Sequence, residues 1–316
     1  MNKQIITSAL LGLASFAVLY FSTLSGINQN ANANAAVVIF LMILSVVPLF
    51  ASGLGWGLIG SLISVATVSV ANLVILDPLF SLVYFVVCGL PVLFLTRQAL
   101  LWRDDNGQIS WYPASNLMGC WVIVGIALSF TAILLLYMAD TLRAELINNF
   151  NAAFAELEKQ GLIKEQLDSE RLIWFMPQFF GLFWAMVILA AGSIAQGILV
   201  QLKKNQRPTP EFSGFALPGW ASVVFGAAFA IGVIGDIAGP ILGAITLILG
   251  AAFFLQGMAV LHRISMNWTF RGPLLAAVYL ILILIWPAFI IMIIGLADSW
   301  VGFRGRQLVS PNQEED

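Results

Sequence analysis

The side chains of this chain that could do chemistry are few, and almost none is charged where charge would matter. Asp77, Asp236 and Asp298 fall at the ends of long apolar runs, and no formal charge sits mid-run. A charge at a bilayer centre costs about 2.5–3.5 kcal/mol on insertion scales, so a proton relay through paired buried carboxylates is not expected. The polar groups that remain inside the runs are neutral: Asn72, Gln178, Ser193, Gln196 and Gln256. Such groups hydrogen-bond between helices for about 0.6–2 kcal/mol, and they could equally orient a small ligand. His262, the single histidine, ends an apolar run beside Arg263, where solvation or pairing with a helix dipole is a more economical reading than catalysis.

Motifs for covalent or metal chemistry are missing. The sequence has no GxxxxGK[ST], HExxH or G-x-S-x-G. Cys88 and Cys120 both lie inside apolar runs and lack metal-ligand spacing, which reads as small buried hydrophobes. No catalytic residue, metal site or cofactor is expected, and no enzyme activity. A net charge of −2 argues against nucleic acid as a partner.

The elements that must position the polar groups are membrane spans. Hydrophobic residues make up 60% of the 316-residue chain and charged residues 9%, with mean hydropathy +0.95; soluble domains carry about 25% charged residues. Runs of roughly 20 apolar residues suffice to cross a bilayer. They cover approximately 5–22, 37–53, 55–75, 78–96, 116–138, 172–200, 217–235, 238–262 and 274–297. The fold expected is an all-α, polytopic transmembrane helix bundle of about nine spans. These runs are apolar on every side, which excludes the alternating strands of a barrel.

Basic residues set the orientation. Arg97 and Arg103, then Lys203, Lys204 and Arg207, then Arg263 and Arg271 follow the fourth, sixth and eighth runs, so all three clusters share one face with Lys3. The expectation is a multi-pass protein of a bacterial inner membrane, in contact with the lipid bilayer, with a cytoplasmic amino terminus. Nine crossings would leave Arg304 and Arg306 outside; eight would repair this if the second and third runs formed a re-entrant hairpin, at the cost of reversing Lys3. Lys3, the apolar run to Phe21 and Ala31–Ala35 also resemble a secretory signal with its cleavage site, but the run is long enough to be retained as a first span.

The organisation expected is 1–138 for helices one to five, 139–171 for an extracytoplasmic amphipathic segment, 172–298 for helices six to nine, and 299–316 for a polar tail. Within the segment, Leu142, Leu146, Phe150, Phe154 and Leu157 stripe one helical face, and Gly161 supplies a stop. Such a helix would lie on the outer surface or cap the bundle. Gly235, Gly239, Gly243, Gly250 and Gly257 form a smooth stripe suited to close helix packing, with Asp236 as a helix cap.

Polar groups adjoining this glycine groove make Gln256, Asn267, Asp298 and Arg304 the expected ligand-binding set. Asp298 and Arg304 would meet only if the chain turned after Trp300, at Gly302 or Gly305. Two functions follow: transport or binding of a small-molecule solute among the last three helices, or a non-transporting scaffold or assembly factor holding a membrane protein partner.

Leu217-Pro218-Gly219-Trp220, the run Phe254 to His262, and Gly295-Leu296-Ala297-Asp298-Ser299-Trp300 with Phe303-Arg304 resemble the YybS-like family of uncharacterised bacterial membrane proteins, in its proteobacterial branch. The resemblance covers roughly the last hundred residues. That family has been likened to the substrate-binding components of energy-coupling-factor vitamin transporters, which implies small-molecule binding within a helical bundle. The chain departs from that pattern in its additional crossings and in segment 139–171.

Overall fold

Backbone amides and carbonyls in lipid have no water to bond, so the apolar runs satisfy themselves as helices. The computed structural model describes residues 2–27, 35–161, 168–234, 239–284 and 286–303. Six of its helices are long and apolar enough to cross a membrane, or seven if one bent pair counts as a single span. The chain divides into two units, residues 1–121 with 184–209, and residues 122–183 with 210–316; of the three boundaries, those after 121 and 183 fall inside helices and that after 209 falls in a loop.

The first unit begins with α1 (Asn2–Ile27) and α2 (Ala35–Ile75). The second of these is broken at Gly57, whose φ of 81° and ψ of −174° belong to no helix and suit only glycine. The break reverses the chain. Ser52 Oγ reaches the Gly60 carbonyl at 2.8 Å, although eight residues of straight helix would separate them by about 12 Å. Along α1, Gln4, Ser15 and Ser22 bond the carbonyls of Trp56, Ser45 and Val38 in descending order. Ser8 and Gly12 lie against Gly60 and Ser64 in ascending order. The limbs 35–56 and 58–75 are therefore antiparallel, and α1 packs along both.

Asp77 then caps α3 (Pro78–Tyr84), its Oδ1 accepting from the amides of Leu79 at 2.8 Å and Phe80 at 3.2 Å, with Pro78 in the first turn. A π-turn, Phe85–Gly89, leads into α4 (Leu90–Ala99), where Pro91 has no amide to donate. A short hairpin follows, β1 (Trp102–Asp105) and β2 (Gln108–Trp111), paired Trp102 to Trp111 through Asp105 to Gln108. Its two-residue turn, Asn106-Gly107, has positive φ at both positions, the geometry that matches strand twist. The start of α5 (Ala114–Met138) and the end of α8 (Met176–Gln201) complete this unit. They are joined by Trp121 Nε1, which donates to the Ala185 carbonyl at 2.6 Å.

In the second unit, α6 (Asp140–Lys159) carries the amphipathic pattern. Leu146, Phe150, Phe154 and Leu157 are half-buried while Leu142 is exposed. Phe150 and Phe154 stack at 5.8 Å, and Asn151 accepts a 2.6 Å bond from Ser169 at the start of α7 (Ser169–Ile173). The unit ends with α9 (Trp220–Ile234), α10 (Gly239–Ile264), α11 (Arg271–Ile281) and α12 (Trp286–Val301).

The ninth apolar run is not one straight span, because α11 and α12 are bent by 119°. Tyr279 Oη lies 3.4 Å from His262 Nε2, so α11 stays level with the end of α10 over its length. Gly257 against Ile291 and Gly295 against Phe253 then run α12 antiparallel to α10. The seventh run gives a helix of only 15 residues. Asp236 and Gly235 lie outside the described residues.

Candidate functional site

Gln256 is 1% exposed and is the centre of a polar node in the second unit. Its Oε1 accepts from the Leu217 amide at 2.8 Å. Its Nε2 lies 3.0 Å from the Gly295 carbonyl, 3.2 Å from Asp298 Oδ2 and 3.1 Å from Ser299 Oγ. An amide nitrogen has two hydrogens, and here three acceptors share them. The group is therefore spent inside the protein, tying the chain before α9 to α10 and α12.

Two of the four residues expected to bind ligand, Gln256 and Asp298, are thus brought together. Asn267 is exposed in a short 3-10 turn after α10, about 16 Å along the axis from Gln256. Arg304 lies outside the described residues. The chain does turn after Trp300, at Gly302 with φ 63°.

The glycine stripe is used unevenly. Gly257 meets the backbone of Ile291, Gly250 has Met292 Sδ at 3.2 Å from where a Cβ would stand, and Gly243 faces the Gln178 amide. Gly239 has nothing within 4 Å of where a Cβ would stand among the described residues, and Gly235 is outside them. The close partner of Gly257 on α12 is Gly295, a position the stripe does not include. His262 is held by the Met258 carbonyl at 2.9 Å, to which Nδ1 donates, and by Tyr279. Gln196 Nε2 bonds the Arg207 carbonyl and Thr209, and Ser193 is exposed.

The first unit contains more polar capacity than it uses. Ser8, Ser15 and Ser22 repeat every seven residues on α1 and are fully buried. Ser15 Oγ donates to the Ser45 carbonyl at 2.6 Å and lies 3.1 Å from Tyr84 Oη. Toward the Gly57 turn stand Ser8, Ser61 and Thr96, each with a buried hydroxyl that has no hydrogen-bond partner among the described residues. Toward the Asp77 end, Ser81 Oγ donates to the Ser69 carbonyl at 2.7 Å. Ser69 Oγ and both amide atoms of Asn72 have no such partner. Asn72 is 0% exposed. Each unsatisfied buried group costs about 1–3 kcal/mol, and a fully buried amide with neither end bonded calls for an explanation.

A polar seam therefore runs the length of this unit, through α1, both limbs of α2, α3 and α4. Asn72 was legible as a polar group inside an apolar run. The serines were not singled out, although their heptad spacing on α1 was the available signal.

The end of the unit near Gly57 is closed by Arg207, which is 8% exposed. Its NH1 donates to the Ala99 carbonyl at 3.1 Å and its NH2 to the Tyr112 carbonyl at 2.8 Å. Burial lowers its pKa from the usual guanidinium range. Gln206 Nε2 donates to the Gly55 carbonyl at 3.0 Å, fastening the same loop to the turn of α2.

Residues 35–299 match a family described as predicted membrane proteins, DUF2232. The chain belongs to that family. No curated protein and no solved structure matches it. Membership in DUF2232 agrees with a helical chain in contact with lipid, and the match includes the polar seam of α2 to α4 as well as the Gln256 node.

Proposed function

We propose that this DUF2232 protein binds and passes a small, polar, uncharged solute along the seam of its first unit, as a YybS-like protein of the proteobacterial branch. It would do so in a bacterial inner membrane with its amino terminus cytoplasmic. The limbs of α2 each cross once on this reading; nine spans result if α9 and the bent α11–α12 pair cross as well, with α6 on the outer side. Asn72 carries the proposal, as a buried amide whose nitrogen and carbonyl oxygen both lack a partner among the described residues. A hydroxyl-bearing or amide-bearing solute would satisfy it, and the buried polar groups between the two ends of the seam, Ser15, Tyr84, Asn72 and Ser81 among them, are uncharged, which favours an uncharged solute.

This moves the candidate site from the last three helices to the first four, because the amide of Gln256 is already saturated. The scaffold reading loses support for a related reason: Gly243, Gly250 and Gly257 are occupied by residues of the same chain.

Asn72→Leu tests the proposal. Gently solubilised wild-type protein should retain a small molecule in native mass spectrometry. The variant should lose it while melting no lower than wild type, since an unpaired amide has been removed. Equal retention by the variant would overturn the assignment.

A further inference from the structure

We propose that the end of the first unit nearest Gly57 seats the phosphate of an anionic phospholipid headgroup. Lys3, Arg97, Lys203 and Lys204 are exposed there around the buried Arg207, and among the described residues none of the five pairs with a carboxylate. The nearby acids are already engaged: Asp105 with Arg103, and Asp104 Oδ1 with the Gly107 amide.

The gathering follows from three contacts. Lys204 Nζ stands 5.4 Å from the centre of the Trp56 ring. The Trp56 carbonyl accepts from Gln4, the neighbour of Lys3. Arg207 bonds Ala99, two residues beyond Arg97.

The lysines are held in place. Helix α8 ends with the Lys203 amide on the Val200 carbonyl at 3.0 Å and the Lys204 amide on the Leu199 carbonyl at 2.8 Å, the bond pattern of a Schellman cap. That motif needs a left-handed residue, usually glycine, yet Lys203 occupies it at φ 54°. A side chain at that angle is disfavoured, so a cation has been placed where stability alone would favour glycine.

The source of the phosphate is lipid rather than solution. Ile194, Ile198 and Leu202 are exposed at successive turns of α8 and lead directly to Lys203 and Lys204. An acyl chain along that stripe brings its headgroup to the two ammonium groups. Juxtamembrane lysines attract anionic lipid by about a fivefold gain in binding each.

The test uses the full chain in mixed micelles with phosphatidylglycerol or phosphatidylcholine, read by native mass spectrometry. Phosphatidylglycerol should be retained preferentially. The double variant Lys203→Gly, Lys204→Gln should weaken that retention by about 25-fold, and Lys204→Arg should preserve it. Because glycine suits the cap, a melting temperature no lower than that of the wild type will show that the double variant folds. Equal retention of the two lipids, or of phosphatidylglycerol by the double variant, would overturn the proposal. Displacement of the lipid by millimolar inorganic phosphate would overturn its lipid source.

Discussion

Gln256 and Arg207 do similar work, each spending its hydrogen-bonding capacity on groups distant in sequence, Arg207 on two backbone carbonyls and Gln256 on backbone and side chains alike. Replacing Gln256 with leucine keeps most of its volume but leaves the Leu217 amide without its 2.8 Å acceptor. The cost should be about 1–3 kcal/mol, the penalty of an unpaired buried donor, and a thermal melt in detergent would measure it. Solute retention should be unaffected, because the seam lies elsewhere; loss of solute without loss of stability would return the site to the last helices. Arg207→Met removes two charge-assisted bonds to Ala99 and Tyr112, each about 1.5–3 kcal/mol. Hydrogen exchange should then accelerate through 100–112, where those carbonyls are held, with little change in α1.

Gly57 sets the path of a whole element. A φ of 81° with ψ near −174° is open to glycine and costs other residues about 1–3 kcal/mol. Gly57→Ala should therefore lower the unfolding free energy by about that much, while Gly55→Ala should act through the Leu199 side chain it would meet. Comparing their melting curves separates backbone strain from crowding. The sequence indicated a tight contact or a bend here because four glycines cluster between 53 and 60, and it put the boundary between two apolar runs at 54, three residues before the break at Gly57. Hydropathy alone did not indicate the bend between α11 and α12, because it does not record direction; Pro287, the second residue of α12, was the available signal. The β1–β2 hairpin was legible in Asn106-Gly107 and was passed over amid the basic cluster. Gln256 was visible as a polar residue in lipid, but its saturation was not, since its partners lie 39 to 43 residues away.

At the scale of the whole molecule, the antiparallel limbs of α2 decide which ends of the first unit share a face. Limbs 35–56 and 58–75 are about 33 and 27 Å long at 1.5 Å per residue, and each can cross a hydrocarbon core of about 30 Å. If both cross, Lys3, the Gly57 turn and Lys203 stand on one side of the membrane and Asp77 on the other. Positive-inside bias assigns the first group to the cytoplasm. Single cysteines at Lys3, Asp77 and Lys203, placed in a chain whose buried Cys88 and Cys120 are replaced by alanine, can be labelled in intact cells with a membrane-impermeant maleimide. Only the Asp77→Cys protein should react before lysis, and all three should react after it. Labelling of both Asp77→Cys and Lys203→Cys in intact cells would mean that the Gly57 and Asp77 ends of the unit share a face, so that neither limb crosses. The seam would then join no two sides of the membrane, and no solute could pass along it.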